Sequence, residues 1–215
     1  MPTKQTANYK VVPIDKRDTH WLLLNVHYAK RIPPMSYAFG LFVDDVLKGV
    51  VTYGMPASPS LCKGVAGEQW KKNVLELNRL CLVDNLPNEA SRLVGASLKL
   101  LPHPTIVVSY ADTAQKHTGY IYQATNFLYT GITVKRTEWA VRGLEHMHTK
   151  AISNTVANMG KPPLEAIKEM YGDRFYYRDR SQKHRYVFLV GNKTQVKQLK
   201  KSLKYNVLPY PKELL

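Results

Sequence analysis

The run Thr105–Tyr110 constrains this chain more than any other stretch of it. Thr105, Ile106, Val107 and Val108 stand in succession, and β-branched side chains favour a strand. The run does not alternate apolar with polar, so both its faces are expected to be buried. Such a strand belongs inside a sheet, with other elements packed above and below it. A second apolar strand is predicted over Val74–Val83, and a helix over Asn88–Leu100 joins the two before Pro102 and Pro104 break the chain. Tyr9–Ile14 reads as a short strand and Asp15–Ala29 as a helix with Trp21, Leu22 and Leu24 on its apolar face. Tyr37–Val43 and Val46–Tyr53 read as a hairpin turning at Asp44-Asp45, followed by a polar, glycine-bearing loop from Leu61 to Trp70. Tyr120–Leu128 reads as a helix closed near Gly131, and Ile132–Val141 as a strand. Further on, Pro163–Tyr171 reads as helical, Arg174–Tyr177 as extended, Arg185–Val190 as a strand and Thr194–Lys204 as a lysine-rich helix. The order predicts an α+β fold: one domain over 1–215, a central mixed, mostly antiparallel sheet flanked by helices, with a basic extension over about 145–215.

Charge narrows the partners. The 215 residues carry 31 Lys and Arg against 16 Asp and Glu, a net +15. A field of that sign attracts polyanions and speeds encounter with nucleic acid. No apolar run approaches the ~20 residues of a membrane helix, and residues 1–10 lack a signal peptide's apolar core, so a cytoplasmic protein is expected. The two cysteines, Cys62 and Cys81, form no CxxC pair; neither zinc nor a disulfide framework is indicated. No helix-turn-helix or zinc finger is legible either.

Arg92-Leu93-Val94-Gly95-Ala96-Ser97 follows the Val74–Val83 strand. This is similar to the phosphate-binding motif of the Gcn5-related N-acetyltransferases (GNAT), in which backbone N–H groups at a helix start cradle the pyrophosphate of coenzyme A. The likeness departs at Ser97, where that family has Gly or Ala. Tyr122 to Phe127 resembles the family's next helix end, with Asn126 in place of Gly. The resemblance implies acetyl-CoA, or another acyl or aminoacyl donor, near Arg79, Arg92, Gly95 and Ser97. It also implies that Tyr122 protonates the departing group.

A closer resemblance is carried by Tyr110–Gly131, His27–Lys30, Glu76–Leu80 and Lys183–Tyr186. Together these resemble the Mom DNA-modification family of phages. The resemblance implies addition of a carbamoylmethyl (acetamido) group to adenine N6 in double-stranded DNA, which shields phage DNA from restriction. It also implies Fe(II). His27, Asp112 and Tyr122 form a plausible ligand set for it. The metal-free alternative makes Asp112 a base and Tyr122 an acid, with Tyr28 beside them. The plainest alternative is that Asp112 caps the loop at Thr113.

Two geometric expectations follow from regular elements. On a helix, His27 and Tyr28 face about 100° apart. On a strand, Glu76 and Arg79 face opposite sides, so only one reaches a pocket. His117 is a weaker ligand candidate. An extruded adenine would stack on Tyr28, Trp70 or Tyr120. Lys135, Arg136, Lys183, His184, Arg185 and the Lys197–Lys204 helix are candidates for phosphate contacts. Two other functions remain open: an acetyl-CoA N-acetyltransferase acting on a protein or small amine, and a non-catalytic DNA-binding protein.

Overall fold

In the computed structural model, which describes residues 8–212 apart from 146 and 148, seven strands form one sheet. Residues 1–7, read above for a signal peptide, lie outside the described residues. The sheet strands are β1 (Tyr9–Pro13), β2 (Tyr37–Val43), β3 (Val46–Gly54), β4 (Val74–Leu82), β5 (Thr105–Asp112), β6 (Leu128–Ile132) and β9 (Lys183–Val190). They run in the order β1-β2-β3-β4-β5-β9-β6. Among the described residues only β4 and β5 pair in parallel, across the crossover helix α2 (Glu89–Lys99). The fold is α+β, with a mixed sheet flanked by helices.

Each sheet face buries its own core, which is why Thr105–Asp112 carries no alternation. Val107 and Ala111 face the core under α2, together with Leu93, Val94 and Leu98 of that helix. Ile106 and Val108 face α1 (Pro59–Ala66) and α6 (Lys193–Ser202), against Val65, Ala66 and Leu199. A third cluster seats Leu22 and Leu23 on Val50 and Cys81.

Four local expectations are corrected. Asp15–Ala29 is not one α-helix: a 3-10 turn (Lys16–Thr19) leads into a π-helical turn (Leu22–Val26). The wide turn buries both Leu22 and Leu23 and releases the chain at His27, which is extended. Leu61–Trp70 is not a loop. Ser58 caps α1, Pro59 sits in its first turn, and Cys62, Val65 and Ala66 supply helical spacing before Gly67 at φ 92° ends it. Tyr120–Leu128 is helical only as far as α3 (Tyr120–Ala124), because Asn126 takes a left-handed φ of 61° and turns the chain into β6. Ile132–Val141 is two strands in two sheets. β6 ends at Ile132, and β7 (Arg136–Val141) pairs instead with β8 (Phe175–Arg180).

The β7–β8 ribbon, with α4 (Thr149–Thr155) and α5 (Pro163–Tyr171), forms a lobe inserted between β6 and β9. Those two strands are neighbours in the main sheet. The lobe has its own core of Val141, Ile152, Val156, Ala166 and Ile167.

Candidate active site

The parallel pair β4–β5 is short. Val74, Leu75 and Glu76 pair with Ile106, Val107 and Val108, and pairing then stops. Beyond that point β4 stays with β3 as far as Leu82, while β5 follows β9 as far as Asp112. The two strands part, and a cleft of about 410 Å³ opens between them. His27, Tyr28, Glu76, Arg79, Asp112 and Tyr122 all line it.

Glu76 and Arg79 share this cleft because β4 is bulged. Thr52 pairs with Arg79 and Tyr53 with Leu77, leaving Asn78 as the extra residue. Asn78 is held in place: its amide donates to the Pro34 carbonyl at 2.9 Å and its oxygen accepts from the Thr52 hydroxyl. One inserted residue reverses the alternation, so the expectation that Glu76 and Arg79 face opposite sides is corrected. Glu76 is the site residue that alternation hid. Burial pushes its carboxyl above the ordinary value, while the Lys183 and Arg79 cations draw it back. Arg79 donates to the Asn78 carbonyl, but its Nε is buried with no hydrogen-bond partner among the described residues. Desolvation and the nearby Arg31 cation both disfavour its charge.

His27 and Tyr28 are not on a helix. Their rings stack at 4.5 Å with 27° between planes. The His27 Nδ1 accepts the Ala29 N–H at 3.0 Å, which leaves Nε2 as the other ring nitrogen. Burial, with the Arg79 cation, lowers the His27 pKa to about 4, so the imidazole is neutral near pH 7. Tyr28 is exposed at the rim, as is Tyr120.

Tyr122 is set by α3, which leans on Tyr186. Gly119, at φ 85°, must be glycine there: a Cβ would stand 2.4 Å from the Tyr186 ring. The Tyr122 ring lies 5.2 Å from that of Tyr186 and 5.3 Å from that of Phe127. Desolvation raises the Tyr122 pKa against a hydrogen bond with Ser109, so it stays a phenol at neutral pH.

Asp112 ends β5 and caps the next turn, accepting the Ala114 N–H at 3.0 Å. Its other oxygen lies 3.5 Å from the Lys183 ammonium. Burial pulls its carboxyl upward, but Ser181, Ala114 and Lys183 outweigh that and hold it below the ordinary value. Asp112 is thus both a loop cap and a cleft residue.

The residues do not fit an iron site as arranged. Among the described residues no three His, Cys, Asp or Glu side chains converge as a metal set. Asp112 is already paired with the Lys183 ammonium, which a metal ion would have to displace.

A second, larger groove of about 700 Å³ runs between α2 and the end of α3, lined by Asn88, Ser91, Arg92, Gly95 and Lys99. Ser97 is not in it. That hydroxyl is buried, 2.6 Å from the Tyr53 hydroxyl, and it donates to the Val94 carbonyl. Arg92 and Gly95 sit within the helix rather than at its start, and the Arg92 guanidinium lies 4.4 Å over the Tyr9 ring.

The cationic candidates separate. Lys135 and Arg136 are exposed, and Lys183 lines the cleft. Arg185 is committed internally, donating twice to Thr130 and lying 3.4 Å over the Tyr205 ring. His184 is tied to the Tyr129 hydroxyl at 2.9 Å. Trp70 does not line the cleft; its indole N–H donates to Ser202 of α6. Lys197, Lys200 and Lys201 are exposed on α6.

The family model of the Mom protein family matches residues 8–212. The chain belongs to the Mom protein family. It is 35% identical over 111 residues to the methylcarbamoylase Mom of Escherichia phage Mu, a match covering 49% of this chain and 46% of that protein. The matched stretch therefore spans about half of the curated relative. Among solved structures, the chain is similar to an N-acetyltransferase from Staphylococcus aureus (TM-score 0.44, 11% identity, 85% of this chain and 99% of that one). It is also similar to a probable acetyltransferase from Staphylococcus epidermidis (0.46, 8%, 85% and 99%). A third is a putative acetyltransferase from Salmonella typhimurium with its cofactor acetyl-CoA (0.46, 7%, 86% and 95%).

Proposed function

We propose that this chain is a transferase that modifies adenine at N6 in double-stranded DNA, adding the carbamoylmethyl group in the cytoplasm of a phage-infected cell. The observation that carries the reading is the content of the β4–β5 cleft: a carboxylate with no ion pair and an arginine with an unmet donor among the described residues, beside a retained phenol, in one cavity. Family membership and the net +15 support DNA as the substrate.

Adenine N6 is a weak nucleophile, because its lone pair is delocalised into the ring. It needs a base as its bond to carbon forms, and its target must first leave the helix stack. Tyr28 and Tyr120 at the rim are placed to stack on the extruded base. Glu76 takes the N6 proton; its raised pKa makes it the stronger base of the two cleft carboxylates. Tyr122 gives its proton to the departing group, and Arg79 offsets the negative charge that develops on the donor. Asp112 holds Lys183 at the mouth of the cleft. The donor is a carrier that holds the carbamoylmethyl group through its methylene carbon: N6 bonds to that carbon as the carrier leaves with the Tyr122 proton, and the carrier lies along the α2 groove past Arg92 and Gly95. Acetyl-CoA, whose acetyl group has no amide nitrogen, supplies only that acetyl group and belongs to the acetyltransferase alternative.

The test is mass spectrometry of nucleosides from cells expressing the chain, beside Glu76→Gln, Tyr122→Phe and Asp112→Ala. An adenosine derivative heavier by the acetamido increment, lost in the first two variants, supports the reading. Unmodified adenine alongside acetylation of a protein or small amine assigns the cleft to an ordinary acetyltransferase. DNA binding with no modification of any kind assigns the chain to non-catalytic binding.

A further inference from the structure

We propose that Arg136 and Arg180, at the stem of the inserted lobe, together grip one DNA backbone phosphate beside the nucleotide whose base enters the cleft. The inference rests on the DNA reading above. Arg136 and Arg180 are direct cross-strand partners on β7 and β8. Like charges directly opposite destabilise a strand pair. Both residues are exposed, and among the described residues neither is ion-paired. Their neighbours on the same side of the ribbon are treated differently: Arg178 donates to its own cross-strand partner, Glu138, at 3.0 Å. The ribbon thus supplies a carboxylate for one arginine and leaves the next pair facing each other. An anion lying between them removes the repulsion. A phosphodiester, with two free oxygens, matches the planar guanidinium fork.

The position of the pair identifies that anion. Arg180 is three residues before Lys183, hence within roughly 10 Å of it along the chain. That connection is fixed at both sides. The Gln182 amide donates to the Thr133 carbonyl at 2.7 Å, the Lys183 N–H donates to the Thr133 hydroxyl at 2.9 Å, and the Gln182 carbonyl accepts the Thr113 N–H at 3.1 Å. Thr113 directly follows Asp112. The arginine pair is therefore held in a set register to the cleft mouth, and Lys135 stands next to it in the chain. Phosphates of a bound donor lie elsewhere. The α2 groove meets β9 at Phe188–Gly191, the strand end opposite Lys183, roughly 17 to 26 Å of extended chain away.

The test measures binding of the full chain to a short adenine-containing duplex by fluorescence anisotropy across a salt series. A second duplex carries uncharged methylphosphonates on both sides of the target adenine. The wild type is expected to lose affinity on the methylphosphonate duplex. R136Q/R180Q is expected to bind the natural duplex several-fold more weakly, with a log K against log salt slope shallower by about 0.9 for the one phosphate lost. The double variant should also be indifferent to methylphosphonate. Without DNA, its melting temperature should equal or exceed that of the wild type, since a repulsion has been removed. If the double variant misfolds, R136Q alone is read in the same way. Equal methylphosphonate penalties in wild type and variant, or an unchanged salt slope, overturn the phosphate grip while leaving the DNA reading intact. A wild type that binds neither duplex at low salt overturns the DNA reading itself.

Discussion

The β4–β5 cleft and the α2 groove are both lined with polar side chains, but they use them differently. At the groove the hydroxyls are spent internally, Ser91 on the Asn88 carbonyl and Thr125 on the Ile121 carbonyl, and the groups packed beneath and beside it are engaged as well. Ser97 bonds Tyr53, Arg92 covers Tyr9, and Glu89 takes the Leu86 N–H at 3.0 Å. In the cleft the groups are left over: Glu76 has no ion pair among the described residues, and Arg79 keeps a buried donor without an acceptor. Buried polar groups are ordinarily satisfied. A group spent on its neighbours builds the fold, and a group left unspent in a cavity waits for a ligand. Cavity size alone points the other way, to the groove.

The largest effect is expected at the cleft. Tyr122→Phe or Glu76→Gln should lower modified adenine by about 10²–10⁴-fold, with melting temperature changed little, as read by nucleoside mass spectrometry and calorimetry. Comparable loss of modification in Ser97→Ala would break the contrast between the two regions. Next comes a pH effect from His27, whose folded pKa of about 4 lies below the ordinary histidine value of 6.5. A depressed histidine keeps its full contribution above about pH 6.5 and loses it as pH falls towards 4. At about 1.4 kcal/mol per unit, the loss amounts to roughly 3 kcal/mol. Urea unfolding of the wild type should show this slope between those pH values, and His27→Gln should lack it. Arg79→Gln is expected to raise stability by about 1 kcal/mol, because a buried and only partly compensated charge disappears, while modification falls. A stability loss instead would mean that the Asn78 carbonyl and the Glu76 carboxylate already outweigh its desolvation. Smallest, Ser97→Ala should cost about 1 kcal/mol in urea unfolding and leave modification unchanged.

Much of this was legible where the signal is local. The β-branched run at Thr105–Tyr110 is the interior strand its composition requires. Asp44 and Asp45 both take positive φ, at 48° and 63°, in the tight turn read from them. The cleft residues His27, Asp112 and Tyr122 were likewise named from short motifs. What the residues hide is long-range or one residue deep. The Asn78 bulge needs β3 beside it, so Glu76 could not be placed with Arg79 from alternation alone. The side chain of Ser97 points inward because Tyr53, 44 residues away, waits for it. The inserted lobe was invisible because β6 and β9 pair across some fifty residues.

That last pairing sets the timetable of assembly. β9 lies in the sheet's interior, between β5 and β6, yet follows every other described strand in the chain. Until it arrives, β5 and β6 present bare edges, and Lys183 is missing from the mouth of the cleft. The lobe comes first and can pack on its own core while its host sheet waits. Closing so distant a contact is slow, and domains emerge from the ribosome in order. A nascent chain is therefore expected to lack a complete cleft until β9 has threaded into place.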